Sequence, residues 1–361
     1  MTGTNPGGRL SKDLSRKLQA LSFIAITLVV FIHAYNIDPT PPEAGAPLLY
    51  VDFVENFISK GVGRIAVPFF FLISGLLFFD SFHFTVVGIL AKYKRRFRSL
   101  VVPYLCWSLF GLAAIWSMQL IPWSRSFFNR ELIVNYSLSE VLYTIFFNPV
   151  PYQLWFVRDL IMLVIFSPLI WYLTKATRGV WLLVLVVLWN TEGKTFGFFS
   201  NEAILFFSVG CALAIYKDKS LVDHLFSVFA TAFFLTAWLV CLLFTTYFLT
   251  FDKAGFVLQV VANTGVIAGL LSLWSVYDHV SPNFVVRFSP VFACTFMIFV
   301  FHEPLLTILK KGLFFITGKT PATSLLVYFL APILAIAVSV LLRGIMIKRT
   351  PQLYQLATGG R

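Results

Sequence analysis

Residues 18–36 read LQALSFIAITLVVFIHAYN. From Leu18 to Ile32 only Gln19, Ser22 and Thr27 interrupt an apolar run that holds neither proline nor glycine, and the run closes on His33. About 20 such residues, at 1.5 Å each, are what an α-helix needs to cross the roughly 30 Å hydrocarbon core of a bilayer. Runs of the same kind recur at 64–82, 100–121, 152–174, 179–190, 202–216, 225–250, 256–277, 288–309 and 323–347. The composition agrees, since 58% of the 361 residues are hydrophobic and only 12% are charged. In lipid each backbone amide must be satisfied within its own segment or a closed barrel, and runs this continuously apolar lack the two-residue alternation of a barrel. The fold class is therefore all-α, a polytopic helical membrane bundle of about ten spans.

Three zones follow: a basic cytoplasmic N-terminal segment (1–17), a membrane-embedded domain (18–347) and a cytoplasmic C-terminal tail (348–361). Arg9, Lys12, Arg16 and Lys17 precede the first run without a small-residue cleavage site behind it, so the first helix is read as uncleaved. The stretch 129–148 predicts an interfacial helix. With loops assigned alternately, eighteen Lys and Arg fall on the side of the N-terminus and nine on the other. That places both termini in the cytoplasm, across a cytoplasmic membrane. Lys310, Lys311 and Lys319 are the group that does not fit this assignment.

The net charge of +12 sits in short clusters between spans, where it orients helices, and nucleic acid is not a predicted partner. Cys106, Cys211, Cys241 and Cys294 lie inside apolar runs with no CxxC or Cys/His spacing. They read as small buried side chains, and no metal site or disulfide framework is expected.

On this topology His33 lies about 24 Å along the helix from Lys17, in the outer third of the bilayer. Arg64, ahead of VPFFFLISG, then Arg158 and Asp159 in LWFVRDL, and His302 and Glu303 in FMIFVFHEP, reach a similar level from three other helices. Ionisable groups within a membrane cost roughly 2.5–3.5 kcal/mol each at a helix centre, so they gather at bundle interiors and water-filled cavities. Four helices delivering them to one depth predict a shared polar cavity. Ser22, Ile26, Val29 and His33 fall on one helical stripe, the face expected to line it. Each residue also has a plainer reading. His33 is then an interfacial histidine, Arg64 a snorkelling anchor, Arg158 with Asp159 a local charge pair, and His302 with Glu303 a polar turn at a helix end. KYKRRFR (92–98) is a positive-inside stop, or a patch for donor phosphates formed by Lys94, Arg95, Arg96 and Arg98.

The ordered segments LVVFIHAYN, RIAVPFFFLISGLLF, KRRFRSLVVPYLCWSL, LWFVRDLIMLVIFSPLI and TFMIFVFHEPLL resemble acyltransferase family 3, whose members O-acylate carbohydrates at the bacterial envelope. The resemblance spans about residues 18 to 345. It implies that His33 is the catalytic histidine and that Arg64 matches an arginine ahead of the Ser74-Gly75 segment. It also places Trp155, Arg158 and Asp159 on the family's tryptophan motif and His302 on a late histidine. The family often carries arginine eleven residues before the catalytic histidine; here Ser22 occupies that position.

The implied reaction moves an acyl group, acetyl first, from acyl-CoA as donor substrate to a hydroxyl of a polysaccharide, lipid-linked glycan or glycolipid, with no tightly bound cofactor. His33 would take the hydroxyl proton or itself carry the acyl group, Arg64 or Arg158 would stabilise the oxyanion, and Ser74, Trp155, Asp159, His302 and Glu303 would contact substrate. The rival readings are a transporter or flippase for a glycan or lipid intermediate, and a non-catalytic subunit of a polysaccharide synthesis complex. No inverted repeat or matched pair of broken helices favours transport.

Overall fold

The computed structural model describes residues 11–35, 49–80, 84–122, 131–191, 200–216, 226–251 and 255–360. Residues 1–10 of the predicted N-terminal segment, and Arg361, lie outside the described residues. Every regular element among those described is helical. In chain order they are α1 (Lys12–Ala34), α2 (Leu49–Glu55), α3 (Ala66–Phe79), α4 (Val86–Arg96), α5 (Val102–Leu120) and α6 (Leu138–Phe146). Next come α7 (Trp155–Ile165), α8 (Ser167–Ala176), α9 (Trp181–Trp189), α10 (Asn201–Tyr216) and α11 (Val228–Thr250). The chain closes with α12 (Phe256–Tyr277), α13 (Pro282–Phe292), α14 (Thr295–Thr317), α15 (Pro321–Arg349) and α16 (Pro351–Thr358).

Among the described residues six stretches are long and apolar enough to cross a bilayer, and two bent pairs, α7 with α8 and α13 with α14, raise the count to eight if each pair is one span. The expected ten included α9 and α10, whose 9 and 16 residues reach only about 14 and 24 Å. Helix α10 is nevertheless central, because two glycines bring it against α3. A Cβ on Gly75 would lie 2.1 Å from the Phe207 carbonyl oxygen, and one on Gly210 would lie 2.2 Å from that of Leu72. Small residues at such a crossing let two backbones approach closely inside a membrane.

Helix α1 begins six residues earlier than the apolar pattern suggested, because the Ser11 hydroxyl accepts from the Leu14 amide and caps it. Lys17, expected in the cytoplasmic segment, is thereby carried into the packed bundle. It is only 6% exposed, paired with Asp278 and 4.3 Å over the Trp274 ring. A carboxylate and an aromatic face together replace the water that the ammonium loses.

Pro304 supplies no amide hydrogen and disfavours helical geometry in the residue before it; Glu303 accordingly sits at φ −114°, ψ 132°. The helix then resumes and runs to Thr317, past the predicted stop at 309. This accounts for Lys310, one of the cations that the charge count left misplaced. It rides on α14, with its ammonium 3.5 Å from the His33 carbonyl oxygen.

The predicted interfacial stretch forms α6, begun by a capping box between Ser137 and Glu140. It docks on α5, where Tyr104 and Ser108 donate to the carbonyls of Phe146 and Ile145, each at 2.9 Å. The expected C-terminal tail is also folded. Helix α16 turns back onto α5, its Ala357 carbonyl accepting from the Trp107 indole at 2.9 Å. Gly359, at φ +67°, ends it so close to the chain that a Cβ would lie 2.7 Å from the Ser99 Cα.

Two apolar cores result. One gathers α3, α5, α7 and α10 around Phe71, Phe78 and Phe207, and the other joins α1, α14 and α15 around Leu21, Ile298 and Tyr328. Leu72, Leu270 and Phe299 pack against both.

Candidate functional site

Helix α1 presents Ser15, Gln19, Ser22, Ile26, Val29 and His33 to a cavity of about 580 Å³. Their spacing of three or four residues is one helical face, so the stripe read from sequence is the cavity wall. Ser15 and His33 are 18 residues apart, about 27 Å along the helix, and the cavity follows that length. Facing walls come from Phe70, Ile73 and Ser74 of α3, Trp155, Phe156 and Leu160 of α7, and Phe296 and Phe299 of α14. The volume lies within the usual range for small-molecule sites, roughly 300–1,000 Å³.

The two ends differ. At the Ser15 end the wall includes Arg96 and Arg343, and neither pairs with a carboxylate among the described residues. Arg343 donates from Nε to the Tyr354 hydroxyl at 3.2 Å, and the Arg96 guanidinium lies 5.7 Å from the Phe78 ring centre. No Asp or Glu among the described residues lines the cavity. The result is an anion-attracting mouth.

At the other end His33 is held on three sides. The Tyr152 hydroxyl lies 2.6 Å from its Nδ1. The His302 ring stacks on it at 5.1 Å between centres, and the Lys310 ammonium approaches its carbonyl oxygen. His302 is fully buried, and its Nδ1 is 3.1 Å from the Ile298 carbonyl oxygen. A carbonyl only accepts, so that nitrogen carries the proton and Nε2 the lone pair. Beside them Gln153, 2% exposed, donates from Nε2 to the carbonyls of Glu303 at 2.9 Å and Val300 at 3.3 Å. Val300 is the residue whose carbonyl would have bonded the amide hydrogen that Pro304 lacks. The glutamine therefore binds the kink of α14 to the turn ahead of α7.

Several expected site residues stand elsewhere. Arg64 is turned by the tight helical segment Val62–Ile65 towards α12, where it donates to Asn263 at 3.1 Å; Asn263 in turn donates to Asn190 at 3.1 Å. It lines a separate small crevice with Lys60 and Trp238, away from the wall of the main cavity. Arg158 forks onto Asp159 at 2.8 and 3.1 Å and donates to the Phe147 carbonyl at 2.7 Å. Phe156 and Leu160, one turn apart, take the cavity side of α7, which turns Arg158 towards α6 as a local charge pair. On this placement neither arginine, each expected beside an oxyanion at His33, lines the cavity that holds His33.

Glu303 accepts from the Thr307 hydroxyl at 2.9 Å and, like His302, adjoins the site without lining the cavity. Ser74 and Trp155 do line it. Of the basic cluster only Arg96 reaches the wall; Lys94, Arg95 and Arg98 do not. Tyr152, Gln153 and Arg343 were missed. The first two sit in a tight turn where α-helical periodicity gives the wrong direction, and Arg343 interrupts the apolar run LLRGIM, an intramembrane charge that was counted only as a topology marker.

The acyltransferase domain family Acyl_transf_3 matches residues 16–344. The chain belongs to this family. It is also 24% identical over 365 residues to the succinoglycan biosynthesis protein ExoH of Rhizobium meliloti (strain 1021), covering 98% of this chain and 94% of that protein. No solved structure matches it. The chain is thus an acyltransferase of the integral membrane type, and the cavity that ends on His33 is its candidate active site.

Proposed function

We propose that the protein transfers an acyl group, acetyl first, from acyl-CoA to a hydroxyl of an envelope polysaccharide or its lipid-linked precursor, across the cytoplasmic membrane of a bacterium. One observation carries this reading: a single cavity runs along α1 from Arg96 and Arg343 to His33. The arginine mouth faces the cytoplasm in the topology favoured by the loop charges and suits the phosphates of the donor. The apolar middle suits its uncharged arm. Among the described residues the cavity wall at His33 itself carries no arginine or lysine, and the nearby Lys310 ammonium lies on the His33 carbonyl oxygen outside that wall. The name of the ExoH relative supports a polysaccharide acceptor.

In this mechanism the Tyr152 oxygen accepts the Nδ1 hydrogen of His33 and leaves the lone pair on Nε2. The acceptor hydroxyl oxygen attacks the thioester carbon while its proton passes to Nε2. The tetrahedral intermediate then collapses, the carbon–sulfur bond breaks, and the thiolate recovers the proton from His33. General-base assistance of this kind contributes on the order of 10²–10⁴-fold.

The test is mass analysis of envelope glycans from cells carrying wild-type protein, His33→Ala or no protein, with membrane levels matched. Acylation is expected with the wild type and lost in the other two. Acylation that persists with His33→Ala would overturn the assignment.

A further inference from the structure

Two buried acceptor atoms beside His33 have no hydrogen-bond partner among the described residues, Gln153 Oε1 and His302 Nε2. They differ in access, since Gln153 lines the cavity and His302 does not. The orientation of the Gln153 amide is set by chemistry. Its nitrogen faces two carbonyl oxygens, which only accept, so the oxygen is the atom left over. A buried amide oxygen without a donor is costly to leave unpaired. Gln153 is thus fixed at one end by the kink of α14 and bears, beside His33, a buried acceptor with no partner among the described residues.

We infer that Gln153 Oε1 is a substrate-binding contact that receives a hydrogen-bond donor of the bound substrate next to His33. Two groups in the proposed reaction carry such a donor. One is the amide N–H two carbons from the thioester sulfur of the donor arm, and the other is a hydroxyl of the glycan. The first is favoured, because Gln153 lies on the wall of the cavity that leads from the arginine mouth. The contact rests on the acyl-CoA reading above, and the experiment separates the two.

Full-length protein in lipid nanodiscs is given S-acetyl-N-acetylcysteamine, or its analogue with CH₂ in place of the amide N–H, and thiol release is followed with isolated polysaccharide as acceptor. The wild type should favour the amide thioester by about 10-fold in kcat/KM, the scale of a hydrogen bond that leaves a buried acceptor unpaired when lost. Gln153→Met should reduce that preference to below about 2-fold, while Gln153→Glu, which keeps an oxygen there, should retain part of it. Because each preference is a ratio within one enzyme, any loosening of α14 in the variants cancels. A preference that persists in Gln153→Met, joined to a raised KM for isolated polysaccharide, assigns the contact to the glycan hydroxyl. Persistence with that KM unchanged overturns the inference and leaves the proposed function standing. Failure of the wild type to cleave either thioester overturns the donor reading, and the inference with it.

Discussion

The two ends of the cavity are built on opposite principles. Around His33 the side chains are held in place by one another. Tyr152 meets Nδ1, His302 stacks on the ring, and Gln153 is anchored to the carbonyls of Val300 and Glu303. At the far end Arg96 and Arg343 come from helices that are remote in sequence, and neither has a carboxylate to hold it among the described residues. Fixed geometry suits a proton transfer, which gains only when the base stands in place before the reaction. Unpaired, half-exposed guanidinium groups suit the capture of an anion, which can bring its own order. The contrast divides the labour: one end should govern kcat and the other the KM for the donor.

The strongest test cuts the cavity between its ends. Ser22 lines the wall between the arginine mouth and His33, and Ser22→Phe would fill that passage without touching either end. Its expected effect is a fall of about 100-fold in donor turnover, the scale on which misplacing a reacting group is felt. Donor capture at the mouth should survive. Measurement of acetyl-CoA binding beside thiol release would decide it, and unimpaired turnover would mean that the donor reaches His33 by another route.

Next in size is the loss of the mouth itself. Arg343→Ala and Arg96→Ala should each raise the donor KM by about 10-fold, with kcat changed less than about 2-fold, since each removes a charge-assisted contact worth roughly 1.5–3 kcal/mol at most. The KM of the wild type should rise with salt and that of the double variant should not, because screening weakens only charges that are present. A fall in kcat with KM unchanged would contradict the division of labour.

The same contrast explains what could be read from sequence. The stripe Ser22, Ile26, Val29, His33 was legible because helical periodicity alone sets which face a residue occupies. Counting along helices assigned Arg64 and Arg158 a level, but depth carries no azimuth. The short turn Val62–Ile65 aims one at Asn263, and the Phe156 and Leu160 face of α7 turns the other aside. Lys17 was read as a surface charge because its partner, Asp278, lies near the other end of the chain. Arg343 was hidden by the same distance. Tyr152 and Gln153 open the predicted span 152–174, but they stand in a tight 3-10 turn ahead of α7, where α-helical periodicity gives the wrong direction.

The smallest predicted effect falls on the most local contact. Tyr152→Phe removes the hydroxyl that holds His33 Nδ1 and leaves the ring contact, whose centres lie 5.1 Å apart. Both tautomers of the imidazole then become accessible, and only the one with its lone pair on Nε2 would serve as base. The expected loss is about 3- to 10-fold in kcat, matching one hydrogen bond of roughly 0.5–1.5 kcal/mol, with the donor KM unchanged. If Tyr152 instead stood in the path of the acceptor hydroxyl, its truncation would raise turnover and lower the acceptor KM. The direction of the change in kcat therefore tells a hydroxyl that positions the base from one that blocks it, and only the first fits an end of the cavity built to hold its histidine still.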